Sequence, residues 1–581
     1  MISQARHLAI LRDPEQQQWL VFRNPCRVMV ATRLDEVVPM LALIEAEVAA
    51  HHWYAAGFLA YEAAPAFDAA LSVRADGAFP LLWFALFAQC ERFSHLPPAM
   101  TPMPVLSWEP SVGATDYAAA IERIKAHLRA GDSYQVNYSF RLQSPFAGDA
   151  WSFFQSYGGA VPPPYAAYLH SDDWALCCFS PELFFRLDGE IVISRPMKGT
   201  RPRGLSLAQD QQCAAQLSAA SKDRAENLMI TDMVRNDLGR IAKTGTVRTE
   251  ALFALEKHAT VWQMTSTVKA HTDASIAQII AHLFPAASIT GAPKAASMQI
   301  IAHTETAPRR IYTGSIGWFG PGRQACFNVA IRTVLLDKVR HRAEYGTGGG
   351  IVWDSRAEEE FAECFAKARV LRQAMPTFEL LETLLWTPQQ GYFLLDEHLN
   401  RLCESARYFD FGADIAMIQA KLVRLAERFG QQPRRVRLLL KRNGDMTVTA
   451  THAPSPFRTP PAIRLAAQAV HSQDVFLYHK TTHRQAYAQA LASRPGDEDV
   501  LLFNERDEVT ESTRANIALR MGQRLYTPPQ HCGLLAGTLR AYLLKRGLLC
   551  ERVLTRQQVQ QAEAIYLLNS LRGLYAVRLL R

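Results

Sequence analysis

The stretch Ala366-Lys367-Ala368-Arg369-Val370-Leu371-Arg372-Gln373-Ala374-Met375-Pro376-Thr377-Phe378-Glu379-Leu380-Leu381-Glu382-Thr383-Leu384-Leu385 decides how the chain divides. A helical pattern that begins at Ala357 runs to Gln373 and stops at Pro376, whose ring clashes with the preceding turn and which has no N–H to donate. A strand-like run starts at Phe378. The domain boundary therefore falls between them: residues 1–374 form one domain and residues 377–581 a second, joined by a very short linker.

Upstream of this stretch, Tyr117, Ile121, Ile124 and Leu128 recur at helical spacing between Asp116 and Ala130, and Gly131-Asp132 closes the run. A strand-like Tyr134–Leu142 follows. Ser221–Ile241 again reads as helix, whereas Ile311–Phe319 and Ala325–Leu335 are β-rich. Alternation of this kind predicts an α+β first domain. Pro97–Pro104, Pro162–Pro164 and Pro454–Pro461 read as loops, and no internal repeat is present.

Composition narrows the class. Of 581 residues 49% are hydrophobic and 20% charged, enough for buried cores and incompatible with wholesale disorder. The ten cysteines form no C-x-x-C pair, which argues against a zinc cluster or a thioredoxin-like motif and for free thiols in a reducing cytosol. The first residues lack the apolar core of a signal peptide and no stretch reaches the ~18 apolar residues of a membrane span, so the expected location is cytoplasmic, with no membrane partner. The net charge of +8 lies wholly in the C-terminal part: 27 Lys and Arg against 19 Asp and Glu from Thr377 onward, 36 against 36 before it. These basic residues are dispersed without an aromatic-interleaved stripe, which excludes nucleic acid as an expected partner.

Two acidic helices carry the first chemical signal. Asp223 and Glu226 lie i, i+3 on one face, and so do Glu360 and Glu363. Four carboxylates on two faces suit a hard cation such as Mg²⁺, although on spacing alone solvated helix faces are the favoured reading. In the second half, Lys480 in Tyr478-His479-Lys480-Thr481-Thr482 and Glu511 in Val509-Thr510-Glu511-Ser512-Thr513 pair an amine with a downstream carboxylate.

Six blocks then stand in a telling order: Ser180-Pro181-Glu182-Leu183-Phe184, Arg195-Pro196-Met197-Lys198-Gly199-Thr200, Lys222-Asp223-Arg224-Ala225-Glu226-Asn227-Leu228-Met229, Val234-Arg235-Asn236-Asp237-Leu238-Gly239-Arg240, Ser288-Ile289-Thr290-Gly291-Ala292-Pro293-Lys294 and Gly348-Gly349-Gly350-Ile351-Val352. In this order they resemble the chorismate-utilising enzymes, and among those the aminodeoxychorismate synthase component I group, over roughly Tyr61 to Leu371. The resemblance implies a β-sandwich core with flanking helices, and chorismate and ammonia as substrates. It further implies Mg²⁺ held by Glu226 and Glu363 with Asp223 and Glu360 in support. Tyr312 and Arg332 are then expected to grip a substrate carboxylate, with Thr290, Gly348, Gly349 and Gln263 also lining the site; Gln263 stands where the family often has histidine. Arg332 suits the task because its fork binds a carboxylate bidentately.

Lys198 discriminates within the family, because relatives that make anthranilate or isochorismate typically carry alanine there. A lysine amine can attack C2 of the ring and expel the C4 hydroxyl, after which ammonia displaces it at C4. Glu182 matches the general acid that protonates the departing hydroxyl. No glutaminase cysteine motif is present, so ammonia is expected from solution or from a separate glutamine amidotransferase subunit.

The second half, Phe378 to Arg581, resembles the fold-type IV pyridoxal 5'-phosphate enzymes, an α/β class that includes lyases and aminotransferases. The resemblance implies that Lys480 holds the cofactor and acts as base, that Glu511 faces its pyridine nitrogen, and that Arg401, the amides of Thr538 and Leu539, and Asn569-Ser570 bind its phosphate. Thr383 is a candidate active-site hydroxyl. The fusion favours a lyase that converts aminodeoxychorismate into 4-aminobenzoate for folate biosynthesis. Two rivals are an anthranilate-type synthase fused to an aminotransferase and a catalytically silent ligand-binding regulator with a tryptophan pocket. Whether the second domain pairs into a homodimer is open at this point.

Overall fold

The computed structural model describes residues 7–77, 79–98, 106–158, 162–368 and 376–580. Packing divides the chain into two compact units: the first takes in the sequence up to Arg201 and again from Gln216, the second Pro202–Ala215 and everything from Pro376. Ala374-Met375, the end of the expected helix beyond Ala368, and part of the expected Pro97–Pro104 loop lie outside the described residues.

The first unit is built on two sheets of ten strands each, nine in line and one to the side: 109–110 beside 135–145 in the first sheet, 248–257 beside 261–271 in the second. One runs in the order 291–292, 135–145, 342–351, 333–337, 174–180, 165–170, 8–13, 18–23, 91–93, and the other in the order 197–202, 261–271, 191–195, 183–188, 324–329, 315–320, 54–59, 82–87, 27–31. Ala9, Leu11, Phe22, Leu169 and Leu176 of the first pack against Phe58, Trp83, Ala85 and Phe87 of the second. The intervening residues face outward onto helices: Ile10, Val21 and Tyr168 join Tyr117, Ile121 and Ile124 of Ala114–Ala130, and Cys364 of Ala357–Lys367. On the other side Leu82, Phe84 and Leu86 meet Val37, Leu41 and Ile44 of Leu34–His51, and Ile230 and Val234 of Ser221–Gly239. Both faces of each central strand are buried, which is why Leu82–Phe87 reads as an unbroken apolar run.

Two β-rich stretches come out differently from the sequence expectation. Ile311–Phe319 is strand only within Ser315–Gly320, because Arg310 and Thr313 take left-handed backbone values in the turn before it. Ala325–Leu335 divides into the strands Gln324–Val329 and Thr333–Asp337, which belong to different sheets. The chain crosses the sandwich at Arg332, at φ 51°, so the apolar pattern continues while the strand does not.

In the second unit an antiparallel sheet ordered 391–392, 380–387, 434–440, 446–452 packs against the helix Leu395–Phe409. An eight-stranded sheet follows, ordered 509–512, 500–503, 462–465, 573–579, 564–569, 516–521, 524–527, 550–551. A further pairing of 509–512 with 516–521 closes six of these strands into a barrel filled by Ile463, Leu501, Val509, Ile517, Leu567 and Val577. Leu381 N donates to Lys480 O at 2.9 Å, tying the lysine's backbone to the four-stranded sheet. Among the described residues no helix is long and apolar enough to cross a membrane.

Candidate active sites

In the first unit the helix Ser221–Gly239 lies against the strand Met197–Pro202 because Asn227 stitches the two together. Its side-chain amide donates to Lys198 O at 3.3 Å and to Met264 O at 3.1 Å, and its oxygen accepts from Ser266. Gly199, at φ 93°, allows the approach: a Cβ there would lie 3.1 Å from Asp223 Cβ. The sequence Lys-Asp-Arg-Ala-Glu-Asn therefore sets Asp223 and Glu226 beside Lys198.

The glycine-rich strand Arg342–Ile351 forms the facing wall. A Cβ on Gly350 would sit 3.1 Å from Lys198 Nζ and 2.3 Å from Gln135 Nε2, one on Gly349 3.1 Å from Glu360 Oε2, and one on Gly346 2.1 Å from the Tyr312 ring. Absence of side chains on this wall is what lets the amine, the carboxylate and the phenol converge on it. Lys367 Nζ spans from Gly348 O to Glu363 Oε1, each at 2.9 Å.

Glu182 is buried, and Ser288 Oγ donates to its Oε1 at 2.6 Å. Burial pushes its carboxyl up to about 7, against the Ser288 bond and the positive charges of Lys198 and Arg332. Burial likewise pulls the Lys198 ammonium below its ordinary value, opposed by Glu226. A carboxyl raised toward neutrality and an amine lowered from its ordinary value thus act on each other in this cleft.

Each of the four helix carboxylates has its own partner: Asp223 with Arg201 at 3.1 Å, Glu226 with Gln135 at 3.4 Å, Glu360 with Ser355 at 2.7 Å, and Glu363 with Lys367. Among the described residues no three metal-ligating groups form a ready cluster. Glu363 nevertheless pushes the carboxyls of Asp223 and Glu360 up, in addition to burial. A hard divalent cation fits this donor set because it would relieve that repulsion.

Thr290 is fully buried and its hydroxyl turns back to the carbonyls of Ala286 and Ala287, so only its backbone, through Asn137 N at 2.8 Å, reaches the neighbouring strand. Gln263 is buried with its Oε1 unpartnered among the described residues. Ser288, Gln135 and Lys367 were not anticipated; for Lys367 the i, i+4 spacing to Glu363 was an available signal.

In the second unit Glu511 is held from three directions: Leu535 N at 3.0 Å and Tyr487 OH at 2.7 Å on Oε1, and Asn516 Nδ2 at 3.0 Å on Oε2. Burial pushes its carboxyl up to about 7, and burial also brings the Lys480 amine down to about 8, with Arg401 in support.

Arg401 forks onto Glu382 at 2.9 and 2.7 Å and donates to Ala536 O at 3.2 Å. Against the cost of burial, Arg401 and then His398 hold the Glu382 carboxyl well below its ordinary range. His398, kept neutral by burial, donates through Nδ1 to Glu382 at 2.6 Å, which leaves Nε2 to accept from Ser570 Oγ at 2.9 Å and Thr538 Oγ1 at 3.3 Å. Thr538 opens the helix Thr538–Lys545, whose N-cap Gly537 supplies no side-chain cap, so the first amides of the helix are available to an anion beside Arg401. This cradle fits a phosphate. Leu539 Cβ and beyond pack into a small apolar cluster, leaving its amide as the usable group.

Asn569 is spent on its own turn, accepting from Leu571 N and Arg572 N and donating to Arg514 O, and so stands apart from the cradle that Ser570 joins. Thr383 is half-buried on the strand Leu380–Thr387, opposite Arg437. Glu382, His398, Tyr487 and Asn516 complete the site without a spacing signal in the sequence; only Asn516 lies close along the chain to its partner, five residues after Glu511.

Residues 6–373 match the chorismate binding enzyme family. The chain belongs to the chorismate binding enzyme family. Residues 379–580 match amino-transferase class IV. Aminodeoxychorismate synthase component 1 of Bacillus subtilis is 37% identical over 265 residues, covering 45% of this chain and 56% of that protein. The Salmonella typhimurium protein of the same name is 38% identical over 277 residues, covering 47% and 61%. The chain thus spans less than two thirds of the length of these curated relatives. Anthranilate synthase component I from Streptococcus pneumoniae superposes with a TM-score of 0.53 at 21% identity over 61% of this chain and 92% of that one, a likeness of fold.

Proposed function

We propose that the chain is a bifunctional enzyme that converts chorismate and ammonia into 4-amino-4-deoxychorismate in its first unit and eliminates pyruvate from that product in its second, giving 4-aminobenzoate. The observation that carries the first half is the buried Glu182, bonded to Ser288, in the same glycine-walled cleft as Lys198, with burial pushing its carboxyl up to about 7. The amine adds to C2 of the ring as Glu182 passes its proton to the C4 hydroxyl, which leaves as water. Ammonia then enters at C4 and the lysine amine departs from C2. Tyr312 and Arg332 orient a substrate carboxylate, and the glycine wall leaves room for the ring. Mg²⁺ bound by Glu226 and Glu363, with Asp223 and Glu360 nearby, would supply positive charge to the other carboxylate.

In the second unit Arg401 and the amides of Thr538 and Leu539 would hold the phosphate of pyridoxal 5'-phosphate, which would supply an electron sink. Glu511 supports positive charge at the pyridine nitrogen. Lys480 removes the proton at C4 of the substrate, and the ring becomes aromatic as the bond from C3 to the enolpyruvyl oxygen breaks. Folate biosynthesis is the destination that this product suggests, and a separate glutamine amidotransferase is the expected ammonia source, in line with the component 1 naming of the relatives.

The test is Lys198→Ala. Chorismate should still bind, formation of aminodeoxychorismate should collapse, and direct attack at C2 should become detectable. A variant with the parent's product and rate would remove the covalent step.

A further inference from the structure

Two arginines lie in the interior of the first unit, Arg141 at 1% exposure and Arg309 at 2%, with Glu305 between them. Glu305 is committed to Arg309, which it meets at 2.6 and 3.1 Å, and to Ser139 N and Oγ at 2.9 and 2.8 Å. Its nearest approach to Arg141 is 3.9 Å. Arg141 spends its own donors on neutral acceptors, Pro308 O, Ser139 Oγ and Phe140 O. The next acid, Glu62, accepts from Arg309 N at 2.7 Å, and burial pushes its carboxyl up to about 7. Glu305 thus pairs closely with Arg309 alone, and Arg141 is left without a carboxylate at hydrogen-bond distance.

The Arg141 guanidinium stacks on the ring of Tyr312 at 5.1 Å, and Gly346 closes the ring's other surroundings so tightly that a Cβ there would reach it at 2.1 Å. The Nε and Nη2 edge of Arg141 is turned onto Pro308 O and the residue is 1% exposed, so this edge is not offered to a substrate. Packing alone would be served by a methionine at far lower desolvation cost.

We propose that Arg141 is a positioning residue for the first reaction: a buried cation behind Tyr312 that fixes the ring and strengthens donation from its hydroxyl to a substrate carboxylate. This rests on the reading of the first unit as a chorismate site. A cation against the ring face draws electron density from the phenol, which makes its O–H a better donor, and Arg309 adds to the same field.

The experiment measures KM and kcat for chorismate in the full chain, and chorismate affinity by equilibrium dialysis, for Arg141→Met, Arg141→Lys, Tyr312→Phe and Arg141→Met/Tyr312→Phe. We expect KM to rise about tenfold in Arg141→Met with kcat within about twofold, partial recovery in Arg141→Lys, and a double variant no worse than Tyr312→Phe. Additive losses in the double variant, or an unchanged KM in both Arg141 variants, would overturn the role. Should Arg141→Met fail to fold, Arg141→Lys with and without Tyr312→Phe carries the same comparison. Failure of the underlying reading looks different, since the parent protein itself would then neither bind nor consume chorismate.

Discussion

Ser288 Oγ donates a 2.6 Å hydrogen bond to Glu182 Oε1, joining residues 106 positions apart at the buried end of the first cleft. The bond orients the carboxyl without ionising it, because burial outweighs the bond and the nearby positive charges and leaves the group titrating at about 7. In the proposed first reaction the oxygen not bonded to Ser288 is the one that would carry a proton to the leaving hydroxyl.

Glu182→Gln should abolish the first reaction by at least about a hundredfold while changing stability in a pH-dependent way. The folded-state value lies above the ordinary 4.5, so the native protein binds more protons than the unfolded chain between about 4.5 and 7, and Glu182 costs stability once the pH rises through that window. The glutamine variant, which cannot ionise, should therefore be more stable than the parent by roughly 1–3 kcal/mol at pH 8 and equal to it near pH 4.5. Thermal melts at both pH values check this; a variant destabilised at pH 8 would contradict it.

Gly350→Ala should disable the first site with little effect on the second. Its new Cβ would meet Gln135 Nε2 at 2.3 Å and Lys198 Nζ at 3.1 Å, and both are ends of side chains that can swing aside. The fold should survive, with Tm within a few degrees of the parent's, while aminodeoxychorismate formation falls by about tenfold or more. Full activity in this variant would mean that Lys198 does not work where it is seen.

Much of this was legible because the signals are local. Helical spacing and the closing Gly131 marked Ala114–Ala130, and the i, i+3 carboxylates lie on the helices Ser221–Gly239 and Ala357–Lys367, where Glu363 acts on Asp223 and on Glu360. The break at Arg332 was not legible, since a strand that changes sheets inside a sandwich is apolar on both sides of the crossing. Nor were Ser288 beside Glu182, Arg141 behind Tyr312, or Glu382 under Arg401. Such pairs depend on tertiary closure, and no spacing rule encodes them. The segment Pro202–Ala215 was also unexpected in the second unit, where Leu205 O meets His479 Nε2 at 3.1 Å, one residue before Lys480.

Metal dependence should belong to the first reaction alone. Chelation with EDTA, or Glu226→Gln or Glu363→Gln, should reduce aminodeoxychorismate formation by about a hundredfold and leave pyruvate release from supplied aminodeoxychorismate unchanged. In Glu363→Gln the Lys367 ammonium loses the opposing charge at 2.9 Å but can still donate to the amide oxygen and to Gly348 O, so the wall should stay in place and the loss should appear in Mg²⁺ affinity. Equal loss of both reactions would show that the two sites are not independent.

The second site separates two kinds of damage. Lys480→Ala should lose the visible absorbance of the attached cofactor and all release of pyruvate, and aminodeoxychorismate made by the first unit should accumulate. Glu511→Gln should keep the cofactor, because Arg401 and the amides of Thr538 and Leu539 are untouched and the glutamine can still accept from Leu535 N and Tyr487 OH. What it loses is the negative charge opposite the pyridine nitrogen, so proton removal by Lys480 should slow by about a hundredfold. That deficit should persist at pH 6 as well as pH 8, because a positive pyridine nitrogen opposite Glu511 favours its carboxylate form against the upward push of burial. Cofactor titration by absorbance and pyruvate release at pH 6 and pH 8 read the two effects apart; a Glu511→Gln protein that fails to hold the cofactor would place the carboxylate in binding rather than in proton removal.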